Sequence, residues 1–172
     1  MVEESEVNEP VKFRIRFVLN PEDQQGFETE NLWAEPVGAF TFRLLNSPFY
    51  VYGVSAEDIV SAEMVDGQLS FRDVIHQGGH STYRLLLQEG RTIQGEDFAA
   101  MWMPISKLGA TYENANGRLI AVDIPPDRDI QSIYSQFETG KAMGVWVFEE
   151  ANCQSHAPWR RNGACGPCLN RH

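Results

Sequence analysis

The sequence predicts an α+β fold in which a strand-rich first half is followed by a mixed second half. Up to about residue 80, apolar and polar residues alternate in short runs separated by turn residues, which is the pattern of half-buried strands. Beyond that point, two segments repeat apolar residues at helical spacing between further alternating runs. These two observations together predict a β-rich first lobe followed by a mixed second lobe.

The first half consists of short predicted strands and tight turns. "VKFRIRFVL", which begins at Val11, alternates throughout, and "NLWAEPV" and "FTFRLL" form the next pair of strands. "NSPFYVYGV" reads as a turn followed by an aromatic strand, and Asp66-Gly67 marks a hairpin. Short strands with tight turns predict a small SH3-like β-barrel over residues 11–80.

The second half begins with the strand "STYRLLLQ". A helix is then predicted in "GEDFAAMWMPISKLG", with Pro104 either kinking it or starting a second short helix. A hairpin that turns at Asn116-Gly117 precedes a second helix, "PDRDIQSIYSQFETG", with acidic residues in its first turn and Gly140 capping its end. "VWVFEEA" is the last strand. The order β-α-β-β-α-β predicts a ferredoxin-like lobe over residues 81–152.

Two terminal segments fall outside these lobes. Residues 1–10 are acidic and polar and are predicted to be disordered, and residues 153–172 form a tail that holds all three cysteines. The N-terminus lacks the basic start and apolar centre of a secretory signal, and the apolar runs are too short to span a bilayer. We therefore expect a cytoplasmic protein that does not bind membranes and whose thiols are reduced.

The charge is distributed unevenly. The formal net charge is −10, and all 24 acidic residues precede Ala151 with 11 of the 14 basic residues, which leaves that part at −13 and the tail at +3. An acidic body repels nucleic-acid phosphate, which argues against a duplex nucleic acid as partner. It attracts a protein partner with a basic surface, although solubility alone also explains such a charge.

Several stretches together resemble a known family. They are "WAEPVGAFTFRLLNSPFYVYGVSAEDIVSAE", "GGHSTYRLLL", "LGATYENANGRLIAVDIPPDRD" and "GVWVFEEANCQSH", and they occur in this order over about residues 11–156. In this order they resemble the bacterial family called domain of unknown function 4265. The resemblance implies a small bacterial cytoplasmic protein and implies no activity. Residues 157–172 extend beyond it.

The tail carries a candidate metal site. Cys153 and His156 are spaced C-x-x-H and Cys165 and Cys168 are spaced C-x-x-C, which is the arrangement of two ligand pairs in a structural zinc site. An uncoordinated tail and a disulfide remain open alternatives. "CGPC" also occurs in thioredoxins, where a following helix lowers the thiol pKa, but only four residues follow Cys168, so redox catalysis is not predicted.

A weaker candidate site for a small anionic ligand lies in "HQGGHSTYR". Its two glycines let backbone N–H groups approach an anion, and His80, Ser81 and Arg84 add donors. The alternative is a sharp turn between the lobes in which these side chains satisfy backbone groups. No catalytic residues are predicted, because the sequence has no nucleophile elbow and no phosphate-binding loop.

The sequence therefore favours a non-catalytic protein that binds another protein, for example as an immunity or antitoxin-like protein. The alternative is a small-molecule binder or enzyme that uses a pocket between the lobes near His80 and Arg84. RNA binding is disfavoured because acidic residues flank the strands of the second lobe. The identity of the partner and the oligomeric state are not predictable from the sequence.

Overall fold

The structure, a computed structural model, describes residues 11–22 and 26–154 and has an α+β fold, as predicted. It is mostly β-sheet with two helices. The predicted disorder of residues 1–10 lies outside the described residues. The elements in chain order are β1 Phe13–Val18, β2 Thr29–Gly38, β3 Thr41–Leu44, β4 Ile59–Val65, β5 Gln68–His76, β6 Ser81–Leu87, α1 Glu96–Lys107, β7 Thr111–Asn114, β8 Leu119–Ile124, α2 Ile130–Ala142 and β9 Trp146–Asn152.

The first lobe, which we define as strands β1 to β5, is a five-stranded sheet that closes on itself. Each strand pairs with the next in antiparallel fashion, and β1 also pairs with β5 in parallel, with Arg16 opposite Ser70. Alternate residues face the interior, as the strand pattern predicts. Ile15, Leu32 and Leu44 are among the core residues and are fully buried.

The predicted hairpin between β4 and β5 is confirmed. Asp66 and Gly67 both have positive φ, 51° and 78°, so the two-residue turn has the left-handed geometry that suits the twist of the flanking strands.

The predicted aromatic strand in "NSPFYVYGV" is wrong. Residues 45–58 contain no strand. They form an irregular connection from β3 to β4 that lies between the first lobe and the second. Several of their backbone groups bond to the side chains of Glu30 and Arg84, which are distant in sequence, and only isolated bonds reach a strand, such as Gly53 N–H to the carbonyl of Ala151. Strand propensity is overruled here because these side chains satisfy the backbone without a sheet.

The second lobe, strands β6 to β9 with both helices, has the strand order β7-β8-β6-β9, and all its neighbouring strands are antiparallel. Both helices pack on the same face of this sheet. The core there contains Tyr83, Leu85 and Leu87 of β6, as alternation predicts, together with Phe98 of α1 and Phe137 of α2. The opposite face of the sheet is therefore left to meet the first lobe.

The helices differ in detail from their predicted ends. A single α1 runs through Pro104, and Gly109 follows its end with φ 92°, as predicted. In α2, Asp129 is the N-cap and accepts hydrogen bonds from two backbone N–H groups, so the acidic residue precedes the first turn instead of lying in it. The predicted cap at Gly140 is wrong: α2 continues to Ala142, and Gly144 takes the left-handed position with φ 67°.

Within the described part of the chain, neither helix has the length and apolar composition needed to cross a bilayer.

Candidate functional site

The contact between the lobes is built around Arg84. Alternation along β6 turns the Arg84 side chain away from the helices and towards the first lobe, and Arg84 is only 3% exposed there. Its Nη2 donates to the carbonyl of Val51, and its guanidinium lies 4.3 Å from the centre of the Tyr52 ring. Arg84 therefore holds the irregular 45–58 connection against the second sheet.

Glu149 on the neighbouring strand β9 neutralises this buried charge. Its Oε1 accepts from Arg84 Nη1 at 3.0 Å and from the Tyr52 hydroxyl at 2.9 Å. No described residue donates to its Oε2, and the Glu149 side chain is 38% exposed. Glu149 Oε2 is therefore a carboxylate oxygen on the solvent side of the pair, with no hydrogen-bond donor among the described residues. Arg84 Nε, which is buried, also has no acceptor there.

Glu30 is a second anchor that the sequence did not reveal. It lies on the core side of β2, is 8% exposed, and accepts hydrogen bonds from three consecutive backbone N–H groups, those of Phe49, Tyr50 and Val51. A buried carboxylate is stable in a protein when its oxygens accept such bonds. Glu30 therefore fixes the shape of the connection and the position of Tyr50.

A groove of about 280 Å³ lies between the anchored connection and the face of the second sheet. Its apolar lining includes Phe27, Tyr50, Leu86, Leu119 and Val147. Its polar lining consists of Arg84, Asn116 and Glu149. We call this the inter-lobe groove. It has aliphatic side chains along the sheet, two aromatic rings, Tyr50 on the connection and Phe27 just before β2, and the Arg84–Glu149 pair in its wall.

Of the three residues predicted to bind a ligand, only Arg84 lines this groove. His80 is directed to Asp123, whose carboxylate oxygens lie 2.9 and 3.0 Å from His80 Nδ1. Ser81 is buried and its Oγ accepts from the backbone N–H of Gln154 at 3.0 Å. The geometry satisfies these two residues within the protein, and a ligand role for the three together stays a prediction.

Another inter-lobe contact near His80 was also missed. Asp58 is fully buried and accepts from the backbone N–H groups of Ser55 and Gly78 and from the side chain of Gln154. The partners lie up to 96 residues away in sequence, so no local signal connects them. The sequence offers only a weak indication of this contact, which is that the acidic Asp58 comes directly before the apolar start of β4.

A group of carboxylates lies near the edge strand β7. Glu113 Oε1 accepts from the backbone N–H of Ser47 at 3.0 Å, a further bond between the lobes. Burial raises the pKa of Glu113, and the neighbouring charges of Asp123 and Glu30 raise it further, against the lowering effect of the Ser47 bond. The contact between the lobes is therefore acidic at this end.

The predicted metal site is only partly within the described residues. Cys153 is half-buried and packs against the core of the second lobe, whereas His156, Cys165 and Cys168 lie outside the described residues. Next to Cys153, burial raises the pKa of Tyr83 well above its usual range, and nearby Cys153 and Glu150 add to the effect. Among the described residues, no three His, Cys, Asp or Glu side chains are arranged so that they could hold a metal ion.

The zinc site therefore stays a prediction with a simple test. If Cys153, His156, Cys165 and Cys168 bind zinc, purified wild-type protein contains about one zinc per chain, because four such ligands complete a structural site. The zinc is then lost in Cys165→Ser and Cys168→Ser, as measured by elemental analysis. Wild-type protein that holds no zinc after purification without chelator would exclude the site.

Comparison with known proteins identifies a family and a similar fold but indicates no activity. A family model described as "Domain of unknown function (DUF4265)" matches residues 30–148. A crystal structure described as a hypothetical protein from Neisseria gonorrhoeae is similar, with a TM-score of 0.69 and 18% sequence identity over 84% of this chain and 96% of that chain. No curated protein matches the chain. At this identity the similar structure shows a shared fold alone.

Proposed function

Because the chain belongs to the domain of unknown function 4265 family, whose description names no activity, we propose its function from the inter-lobe groove. The groove is the docking site for another protein, one with a basic surface, and the chain acts without catalysis. The observation that carries this proposal is an apolar groove with an exposed carboxylate in its wall, on a body with a charge of −13.

The surface of the groove fits a protein partner. Phe27, Leu86 and Val147 are 52%, 44% and 36% exposed, so they present apolar area to solvent at one place. Clustered exposed apolar side chains are typical of sites that bind proteins or ligands. An acidic surround directs a basic partner to the site and speeds encounter.

The polar residues of the groove support binding better than chemistry. The Arg84 guanidinium donates to Glu149 and Val51, and the pair formed by His80 and Asp123 is not part of the groove lining. General acid–base catalysis most often uses a histidine, whereas the carboxylate in the groove wall, Glu149, is paired with Arg84. One concrete form of the proposal is an immunity or antitoxin-like protein of the bacterial cytoplasm that blocks a basic toxin domain.

We also propose specific fold types for the lobes. The closure of five short strands by the β1–β5 pair supports an SH3-like barrel for the first lobe. The element order β-α-β-β-α-β and the sheet order β7-β8-β6-β9 support a ferredoxin-like second lobe. In this arrangement the groove forms where the open face of the second sheet meets the barrel.

Site-specific photo-crosslinking tests the docking proposal. With p-benzoylphenylalanine in place of Phe27, expressed in the native bacterium, we expect irradiation to yield a covalent adduct with one protein of basic surface. The reason is that Phe27 lies in the groove wall and is half exposed. The adduct is detected by gel shift and identified by mass spectrometry.

The control places the same amino acid at Met64 on β4, which is 58% exposed and not part of the groove. Adducts from position 64 but none from position 27 would place the interaction elsewhere and refute the docking proposal. Absence of adducts at both positions in cells grown under several conditions would count against any stable protein partner.

A small-molecule ligand is the second candidate for the same groove. It is favoured by the position of Arg84 in the wall of a concave site between lobes, although about 280 Å³ lies just below the usual range for such pockets. A fragment that raises the melting temperature of the wild-type protein but not that of Leu86→Asp would support this candidate. A fragment screen that finds no such compound would exclude it.

A further inference from the structure

The inter-lobe groove combines an aliphatic surface with a carboxylate in its wall. Leu86 and Val147 provide an aliphatic surface on the sheet, and Glu149 follows Val147 on the same strand. A lysine or arginine side chain has a matching form, an apolar stem that ends in a positive charge.

Aromatic rings border the same groove. The Phe27 and Tyr50 rings lie 5.2 Å apart, centre to centre, and Tyr50 is held in place because Glu30 binds its backbone N–H. The face of an aromatic ring attracts a cation placed over it. The aromatic side of the groove therefore suits a cation as well as an apolar stem.

The carboxylate of Glu149 distinguishes between the two cations. Its Oε1 already accepts from Arg84 and Tyr52, and its Oε2 has no donor among the described residues. A guanidinium binds a carboxylate best through two parallel hydrogen bonds, which need both oxygens. An ammonium can bind a carboxylate through a single oxygen. Because only Oε2 of Glu149 remains to accept a hydrogen bond, the site favours lysine over arginine.

The buried charge of Arg84 does not reverse this preference. Its side chain is 4% exposed and its charge is met at 3.0 Å by Glu149 Oε1, whereas the Glu149 side chain is 38% exposed. The part of the pair that meets solvent is therefore mainly the carboxylate, within a body of net negative charge.

We propose that the groove binds a lysine side chain of the protein partner, with its stem against Leu86 and Val147 and its ammonium on Glu149 Oε2. This inference rests on the proposed docking function and specifies its chemistry. It makes Glu149 the specificity-determining residue of the site and Phe27 with Tyr50 its aromatic wall.

The test uses peptides selected from a random display library on the full-length protein. Selected peptides are measured for binding to wild type, to Leu86→Asp and to Ile75→Asp, a matched change at an exposed apolar residue of β5 outside the groove. We expect binding that survives Ile75→Asp and is lost in Leu86→Asp. Melting curves confirm that each variant is folded.

Each lysine of a groove-dependent peptide is then acetylated in turn, which removes its charge without changing the protein. We expect acetylation of one particular lysine to weaken binding roughly tenfold, since a hydrogen bond to a charged group contributes about 1.5 kcal/mol or more. A peptide with arginine at that position should bind more tightly than the acetylated peptide but less tightly than the peptide with the unmodified lysine. Acetylation of the other lysines has a small effect.

The outcomes separate the two claims. Groove-dependent peptides that tolerate acetylation of every lysine, or that prefer arginine at the critical position, would overturn the lysine inference and leave the docking function standing. Peptides that bind Leu86→Asp as tightly as wild type would remove the groove as a docking site, and the proposed function would fail with the inference.

Discussion

We expect Gly140→Ala to lower the free energy of unfolding by about 2 kcal/mol, although alanine normally stabilises a helix relative to glycine. Gly140 lies inside α2 and is buried against Trp146. A Cβ at this position would lie 2.2 Å from Trp146 Cζ2. Trp146 cannot easily yield, because it is fully buried and its Nε1 donates to the carbonyl of Phe137 at 3.0 Å.

The measurement is chemical denaturation of wild type, Gly140→Ala and Gln131→Ala, an exposed position on the same helix. Gln131→Ala should change stability by less than about 0.5 kcal/mol. In the double variant Gly140→Ala with Trp146→Phe, the two losses should not add, because the smaller ring removes the clash. A Gly140→Ala protein as stable as wild type would contradict this packing.

The second large effect is expected for Arg84→Met, which should cost about 3 kcal/mol. Methionine fills the apolar volume of the side chain but leaves the carboxylate of Glu149 without its cation and the carbonyl of Val51 without its donor. The pair is buried on the Arg84 side only, and loss of one partner leaves the other without its counter-charge. We therefore expect the double variant Arg84→Met with Glu149→Gln to be more stable than the single variant.

Arg91→Met provides the matched control, because Arg91 pairs with Asp97 at the surface. Exposed ion pairs contribute little, so this variant should lose less than about 1 kcal/mol. Equal losses for Arg84→Met and Arg91→Met in urea denaturation would show that the Arg84–Glu149 pair does not hold the lobes together.

Alternation and turn residues predicted most of the elements of the fold. The apolar face of β6, the Asp66-Gly67 and Asn116-Gly117 turns and both helices lie where the sequence pattern places them. These are local signals, since each depends on residues within a few positions of one another. The end of α2 was misjudged because the small size of Gly140 is required by packing against Trp146.

The candidate site was harder to predict because its contacts are non-local. Arg84 was recognised as a candidate, but its partner Glu149 is 65 residues away. Glu30 gave no signal, because a lone acidic residue near the start of a strand is ordinary at a surface. Its three backbone partners lie in a segment that alternation assigned to a strand. The groove exists only because these contacts bring that segment to the second sheet.

Photo-crosslinking from position 27, repeated with Leu86→Asp present and at raised salt, tests the docking function most directly. We predict one adduct with a basic protein, which Leu86→Asp abolishes because the charge disrupts the apolar wall of the groove. We also predict that raised salt lowers the yield of the adduct, since the attraction is electrostatic. An adduct whose yield is unchanged by both Leu86→Asp and salt would contradict docking in the inter-lobe groove.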